Sequence, residues 1–417
     1  MMFSIGIDNR EEANKFLRRL WAEFRNEFGK CVWHYTPYRM GENNAIIFGM
    51  MDIGIPEGAL QVDVFYIRKG TIQTINFDFV QCKPPLDRIL ELNQKIGRII
   101  DNSKSNFNQT LKFFYRVGIY SVVLPLGYYK GNEFCIDSSQ ENRFNLGIAT
   151  LGYDEIDAQT KCKSKILQCL DLLSVETNSP FWSDEPVDEI EQDFEKEVFM
   201  ENLEWIDDYP IIEDKLRLSK SGKKFLDLIA GDELNKEQKL FLRACNHFHT
   251  ARKYDAQVNN LLKHTLTEEI ESGHYEITLE ERDERLTMAA KMGATHMEIA
   301  SVLYISALEV VSSIGIEEPK NCPQCKQKVY SIGSRVVNMV EKYHSPHLGK
   351  EFRGYYSKRS KYLHAGELLS NYSYIGTTIP QLDPSDPTGC EVHSGIPLPN
   401  LREYTSFCLR KVLQSLI

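Results

Sequence analysis

Apolar positions along the chain change period several times, and each change marks a different kind of element. Between residues 11 and 29, Ala13, Leu17, Leu20 and Phe24 recur every three to four positions with charges between them, which predicts an amphipathic helix. From Ala59 the period shortens to two: Leu60, Val62, Val64 and Tyr66 alternate with Gln61, Asp63 and Phe65. The turn signal Arg68-Lys69-Gly70 follows, and then Ile72, Thr74, Ile75, Phe77 and Phe79, so a β-hairpin is expected. Pro84-Pro85 closes this strand, and Leu86 to Ile100 carries Ile89, Leu92, Ile96 and Ile99 on one helical face. Strand-like runs return at 120–129 and 133–137, a helix is expected at 157–174, and helical spacing dominates the remainder at 236–253, 286–311, 333–343, 355–369 and 401–416.

This order predicts an α+β protein: a mixed α/β domain over residues 1–150, a helical and acidic connection over 151–214, and an all-α antiparallel bundle over 215–417. Cys162 and Cys169 lie seven apart beside Ile166, Leu170 and Leu173, a same-face spacing that assigns both thiols to a core. The apolar stretch 286–311 is interrupted by Lys291, Glu298 and Glu309, so it is expected to be a buried helix rather than a membrane span. The N-terminus turns charged early and shows no secretory signal pattern. A reducing cytoplasm is therefore the expected setting, with thiols free or metal-bound.

Composition adds one thing to this picture, and it lies in the distribution of charge. The net charge is −10, which by itself argues against a generally nucleic-acid-binding surface. Yet residues 184–208 hold twelve acidic side chains and one lysine, while residues 320–364 hold ten basic side chains and two acidic ones. Ile190, Phe194, Val198 and Leu203 stand at helical intervals in the acidic run, which predicts a helix with one buried face. Such a run is either a solvated surface or a mask for a basic one. In the basic stretch, Tyr330, Tyr343, Phe352, Tyr355, Tyr356 and Tyr362 are interleaved with the cations. That pattern suits either a solvated face with tyrosines packed inward or a cleft that stacks unpaired bases and neutralises phosphates.

Within that stretch, Gly354-Tyr355-Tyr356-Ser357-Lys358-Arg359-Ser360-Lys361-Tyr362-Leu363-His364-Ala365-Gly366 places Arg359 and His364 around four residues. This resembles the Arg-x4–6-His motif of the HEPN superfamily, helical-bundle domains found in many prokaryotic ribonucleases. Tyr356, Ser360 and Gly366 look closest to the Apea-like HEPN families of bacterial defence proteins. Ala307-Leu308-Glu309 resembles a segment on the second long helix of those families, and Arg335 matches a basic residue on the next. Phe241 to Phe248 looks like their first bundle helix. The resemblance covers residues 215–417 and implies a metal-independent endoribonuclease acting on RNA, with tRNA one such target. It also implies a homodimer formed through the HEPN domain and a toxic role in antiphage defence. Non-catalytic HEPN modules that bind RNA or protein are the alternative.

The chemistry of the residue types agrees. Cleavage of RNA by its own 2′-hydroxyl needs a base, an acid and a cation for the phosphorane. Histidine as a residue type serves as either acid or base, and the arginine fork matches phosphate oxygens. One Arg359 and one His364 per chain suffice only when two copies face each other. Tyr356 and Ser360 are expected to orient the pair, and Lys358, Lys361 and Arg353 to bind RNA. Glu309, an acid in an apolar helix, requires a partner, with Arg335 or Arg359 the candidates. On a regular helix Arg359 and His364 stand about 140° apart. The motif is thus expected either to straddle a helix start or to rely on the arginine wrapping round the cylinder.

A second constellation is Cys322-Pro323-Gln324-Cys325. With Cys390 and His393 it would complete a Cys3His structural zinc site, and His344 and His347 are alternative donors. Free thiols or a redox pair are the competing readings. No cofactor is expected for catalysis itself.

Overall fold

A computed structural model of the protein describes residues 1–29, 31–40, 43–55, 58–67, 70–80, 84–140, 143–186, 196–206, 209–271, 296–316, 331–366 and 398–417. The fold is α+β. By contacts it divides into two compact units, Met1–Phe114 with Ala149–Lys163, and Tyr115–Ile148 with Ser164–Ile417. This division does not follow the 1–150, 151–214 and 215–417 segments read from the sequence. The second strand-forming region joins the helices that come after it.

In the first unit, strand β1 (Met2–Ile7) precedes helix α1 (Arg10–Phe28) and the strands β2 (Cys31–Met40), β3 (Asn43–Ile55), β4 (Gly58–Tyr66) and β5 (Ile72–Phe79), followed by helix α2 (Leu86–Asn106). The five strands form one antiparallel sheet in the order β1-β5-β4-β3-β2. The expected hairpin is present, with Leu60 opposite Phe79, Val62 opposite Phe77 and Val64 opposite Ile75. This register turns the apolar set of both strands to one face. There it meets Phe16, Leu20 and Phe24 of α1, spaced four apart, and Leu92, Ile96 and Ile100 of α2. Burying each such large side chain contributes about 1.5–3 kcal/mol. Asn9 starts α1 by accepting from the Glu11 N–H at 2.8 Å, and Gly29 at φ 80° ends it.

The second sheet contains β6 (Leu111–Ser121), β7 (Tyr129–Lys130), β8 (Phe134–Gln140), β9 (Arg143–Gly152) and β10 (Phe181–Pro186), in the order β10-β6-β9-β8-β7. The run expected as a strand over 120–129 is therefore two strand ends with an irregular connection between them. Helix α3 (Glu155–Thr177) follows β9, and its Cys162 and Cys169 are buried in the core, as their spacing suggested. A small β11 (Ile211–Ile212) and β12 (Lys215–Leu216) hairpin leads into α4 (Lys220–Ala230) and the long α5 (Lys236–Glu271). The remaining helices are α6 (residues 296–311), α7 (Ile332–Tyr343), α8 (Pro346–Ala365) and α9 (Leu398–Leu416). Helix α9 packs against α4, α5 and α7.

The described part of the acidic run departs from expectation, while Ile190 and Phe194 lie outside the described residues. Residues 196–206 are not helical; they form an irregular strap held by individual bonds. The Tyr129 hydroxyl donates to the Val198 carbonyl at 2.6 Å, and the Met200 N–H donates to the Leu218 carbonyl at 2.9 Å. Glu197 pairs with Lys223 at 2.8 Å, Glu204 with Lys411, and the Arg410 guanidinium lies 3.5 Å from the Trp205 ring centre. Like charges one turn apart repel in a helix, whereas Glu197 and Glu204 here each reach a cation of their own. No helix among the described residues is long and apolar enough to cross a membrane.

Candidate active site

Helices α7 and α8 are joined by His344 and Ser345 alone, so they form a tight helical hairpin. Ser345 caps α8, its Oγ accepting from the Leu348 N–H at 3.2 Å, and Pro346 occupies the first turn, where no N–H is needed. Gly366 ends the helix at φ 71°, a left-handed position suited to glycine, with its N–H on the Tyr362 carbonyl. Val336, Val337 and Val340 bury one face of α7, whereas Gly349 and Phe352 are the buried residues of α8. A side chain at Gly349 would strike Glu341, and one at Gly333 would strike the Tyr356 ring, so the two helices run antiparallel in close contact.

The turn of α8 around Tyr356 and Arg359 faces Glu309 of α6. Arg359 Nη2 donates to Glu309 Oε2 at 2.9 Å and to Ser306 Oγ at 3.2 Å, and both charged side chains are 16% exposed. Of the two candidate partners for Glu309, Arg359 makes the ion pair. Tyr356 also hydrogen-bonds Glu309. Burial, the Glu309 charge and that hydrogen bond together raise the tyrosine's pKa. Arg335 brings positive charge near the same ring, and its buried Nε has no hydrogen-bond partner among the described residues. Glu309, Tyr356, Arg359 and Arg335 therefore gather into one polar cluster on three helices.

His364 stands apart from it. Helix α8 is continuous through both motif residues and the motif lies at its C-terminal end, which corrects the expectation of a helix start. Five residues on, His364 is displaced by about 7.5 Å along the axis and about 140° around it. It is exposed, while Arg359 points to α6 instead of wrapping toward it. Ser360 is half-buried, and Arg353, Lys358 and Lys361 are exposed. The exposed side of α8 thus presents an imidazole and cations, whereas its inner side holds the arginine by a carboxylate.

Sequence reasoning missed Ser306 and Gly333. The first lies three residues before Glu309 on the same helical stripe, which is a usable signal. The second is visible only once Tyr356 is seen to need its space. The zinc candidates Cys322, Cys325, Cys390 and His393 lie outside the described residues. His344, the alternative donor, packs between Tyr404 and Phe407 with ring centres 5.1 and 4.7 Å away, and burial lowers its pKa. Among the described residues, no group of three His, Cys, Asp or Glu side chains converges as a metal site. No protein-family model matches the chain, and comparison with curated proteins and with solved structures returns no match either.

Proposed function

We propose that residues 215–417 form a HEPN-type, metal-independent endoribonuclease that cleaves cellular RNA, with tRNA a candidate substrate. On this reading it acts in the cytoplasm as a homodimer and a toxic effector of antiphage defence. The observation that carries the reading is the asymmetry of α8, which presents exposed His364 with Arg353, Lys358 and Lys361 while Arg359 is paired with Glu309 on the inner side. Two copies meeting across this helix would supply two imidazoles to one phosphodiester. One His364 takes the 2′-hydroxyl proton as that oxygen attacks phosphorus. The other protonates the departing 5′-oxygen, leaving a 2′,3′-cyclic phosphate and a 5′-hydroxyl. Arg359 exchanges its carboxylate partner for the phosphorane oxygens, Tyr356 and Ser360 orient it, and the lysines bind flanking phosphates.

One observation favours the alternative of a non-catalytic RNA- or protein-binding module: Arg359 is bonded to Glu309 and Ser306 and does not face His364 within the protomer. Sequencing of cellular RNA ends after induction separates the two. An enzyme yields new cyclic-phosphate ends in the wild type, and both Arg359→Ala and His364→Ala abolish them together with toxicity. A binding module produces no new ends, and its effect survives His364→Ala.

A further inference from the structure

Away from the motif, a cleft of about 730 Å³ opens in the second unit between α3, the α4–α5 connection and α5, with Val310 of α6 at its edge. That volume is in the range of small-molecule sites. Lys239 and Arg243 stand one turn apart on its α5 wall, both exposed, and neither makes an ion pair with a described residue. Two carboxylates, Asp171 and Asp232, also line the cleft. Asp171 is occupied by the Asn246 amide at 3.0 Å and by His249 Nδ1 at 2.8 Å. Asp232 pairs with Lys165 at 2.9 Å. The next residue along the α5 stripe, His247, also lines the cleft, and its buried Nδ1 has no hydrogen-bond partner among the described residues. Burial lowers the pKa of His247, so near neutrality it offers a hydrogen-bonding ring rather than a third charge. The α3 wall is uncharged beyond Asp171, with Gln168 beside Leu167, which is 54% exposed.

We propose that this cleft binds an organic phosphate, the phosphate seated on Lys239 and Arg243 and the remainder of the molecule lying against Gln168, Asn246 and Leu167. Two unpaired cations in a concave wall supply an electrostatic seat for a dianion. The amides and the exposed leucine supply the mixed polar and apolar surface that a sugar or a heterocycle requires and a bare inorganic anion does not. The proposal goes beyond the ribonuclease reading and uses none of its residues.

The test is calorimetric titration of the full chain with AMP, ribose 5-phosphate, inorganic phosphate and adenosine. Saturable binding of AMP or ribose 5-phosphate is expected, at least tenfold tighter than that of adenosine or inorganic phosphate. Lys239→Glu with Arg243→Glu should weaken it at least tenfold, and because both side chains are exposed, the circular dichroism spectrum should be unchanged. Gln168→Ala should lower affinity for the organic phosphates without changing that for inorganic phosphate. Absence of binding at millimolar ligand, binding unaffected by the double charge reversal, or inorganic phosphate binding as tightly as both esters would each overturn the proposal. None of these readouts involves RNA cleavage, so a failure here and a failure of the ribonuclease reading are separate results.

Discussion

The two units solve the problem of a stable interior in different ways. In the first, Phe16, Leu20, Trp21, Phe24, Phe77 and the sheet side chains around them form an apolar cluster, and Asp63 is the one buried charged side chain among the described residues. The bidentate Arg25–Asp154 pair of this unit is partly buried, its side chains 14% and 24% exposed. In the second unit, charge runs through the core. Arg252 donates to Asp255 at 2.6 Å, and Arg402 reaches both Asp255 and Glu403. Glu403 in turn accepts from the Asn178 amide at 2.5 Å, and the Tyr304 hydroxyl donates to Asp255 at 3.2 Å. Buried ions contribute little net stability, but removing one partner strands the other. The first unit therefore depends on volume and pattern, and the second on complete pairing.

The largest effect should come from breaking that pairing. Asp255→Ala leaves Arg252 buried without its carboxylate and is expected to cost about 3–5 kcal/mol in chemical denaturation. Asp63→Ala in the first unit strands only the neutral Gln61 amide and Tyr38 hydroxyl, and should cost about 1–3 kcal/mol. Equal costs would dissolve the distinction between the units. Glu309→Gln comes next: it replaces a charge-assisted bond to Arg359 by a neutral one, with an expected loss of about 1.5 kcal/mol because the pair is partly solvated. On the ribonuclease reading, the same change should loosen Arg359 and alter RNA cleavage without unfolding the protein, measured as activity against melting temperature.

Smaller effects surround Glu176, a wholly buried carboxylate that accepts from the Ser219 N–H at 2.9 Å and its Oγ at 2.7 Å. Ser219 also caps α4, accepting from the Gly222 N–H, so Ser219→Ala should cost about 1 kcal/mol. Burial raises the Glu176 pKa above its ordinary value, with the Ser219 bonds and the Arg410 charge opposing the rise. The folded state therefore holds this proton more tightly than the unfolded chain does. Its contribution is complete below pH 4.5 and is lost as pH rises through the raised folded value. The stability difference between wild type and Glu176→Gln should accordingly shift against the wild type on going from pH 4.5 to 7. A shift in the opposite direction would mean that Glu176 is held ionised.

The contrast between units also explains what was legible in the sequence. The β4–β5 hairpin and helices α1 and α2 follow from apolar period alone, because that is what stabilises them. Strand β1 is too short and mixed to announce itself, as Gly6 and Ser4 interrupt its pattern. Of the later helices, α3, α7 and α9 were visible as stripes, and α8 (Pro346–Ala365) only from Tyr355 onward. The acidic strap was not: Val198 and Leu203 carry helical spacing, but Lys223, Arg410 and Lys411, distant in sequence, decide its conformation. Likewise the Arg359–Glu309 contact was expected as one of two options, since both arginines share the residue type and only packing chooses between them. The separation of Arg359 from His364 followed from helix geometry, but the direction the arginine takes did not.

The most direct measurement is cleavage of purified cellular RNA by the purified full chain in the presence of chelator, comparing wild type with His364→Ala at matched helicity and oligomeric state. The account predicts 2′,3′-cyclic phosphate ends from the wild type and a loss of at least a hundredfold in the variant. Cleavage that persists in His364→Ala, or that requires an added divalent metal, would contradict it.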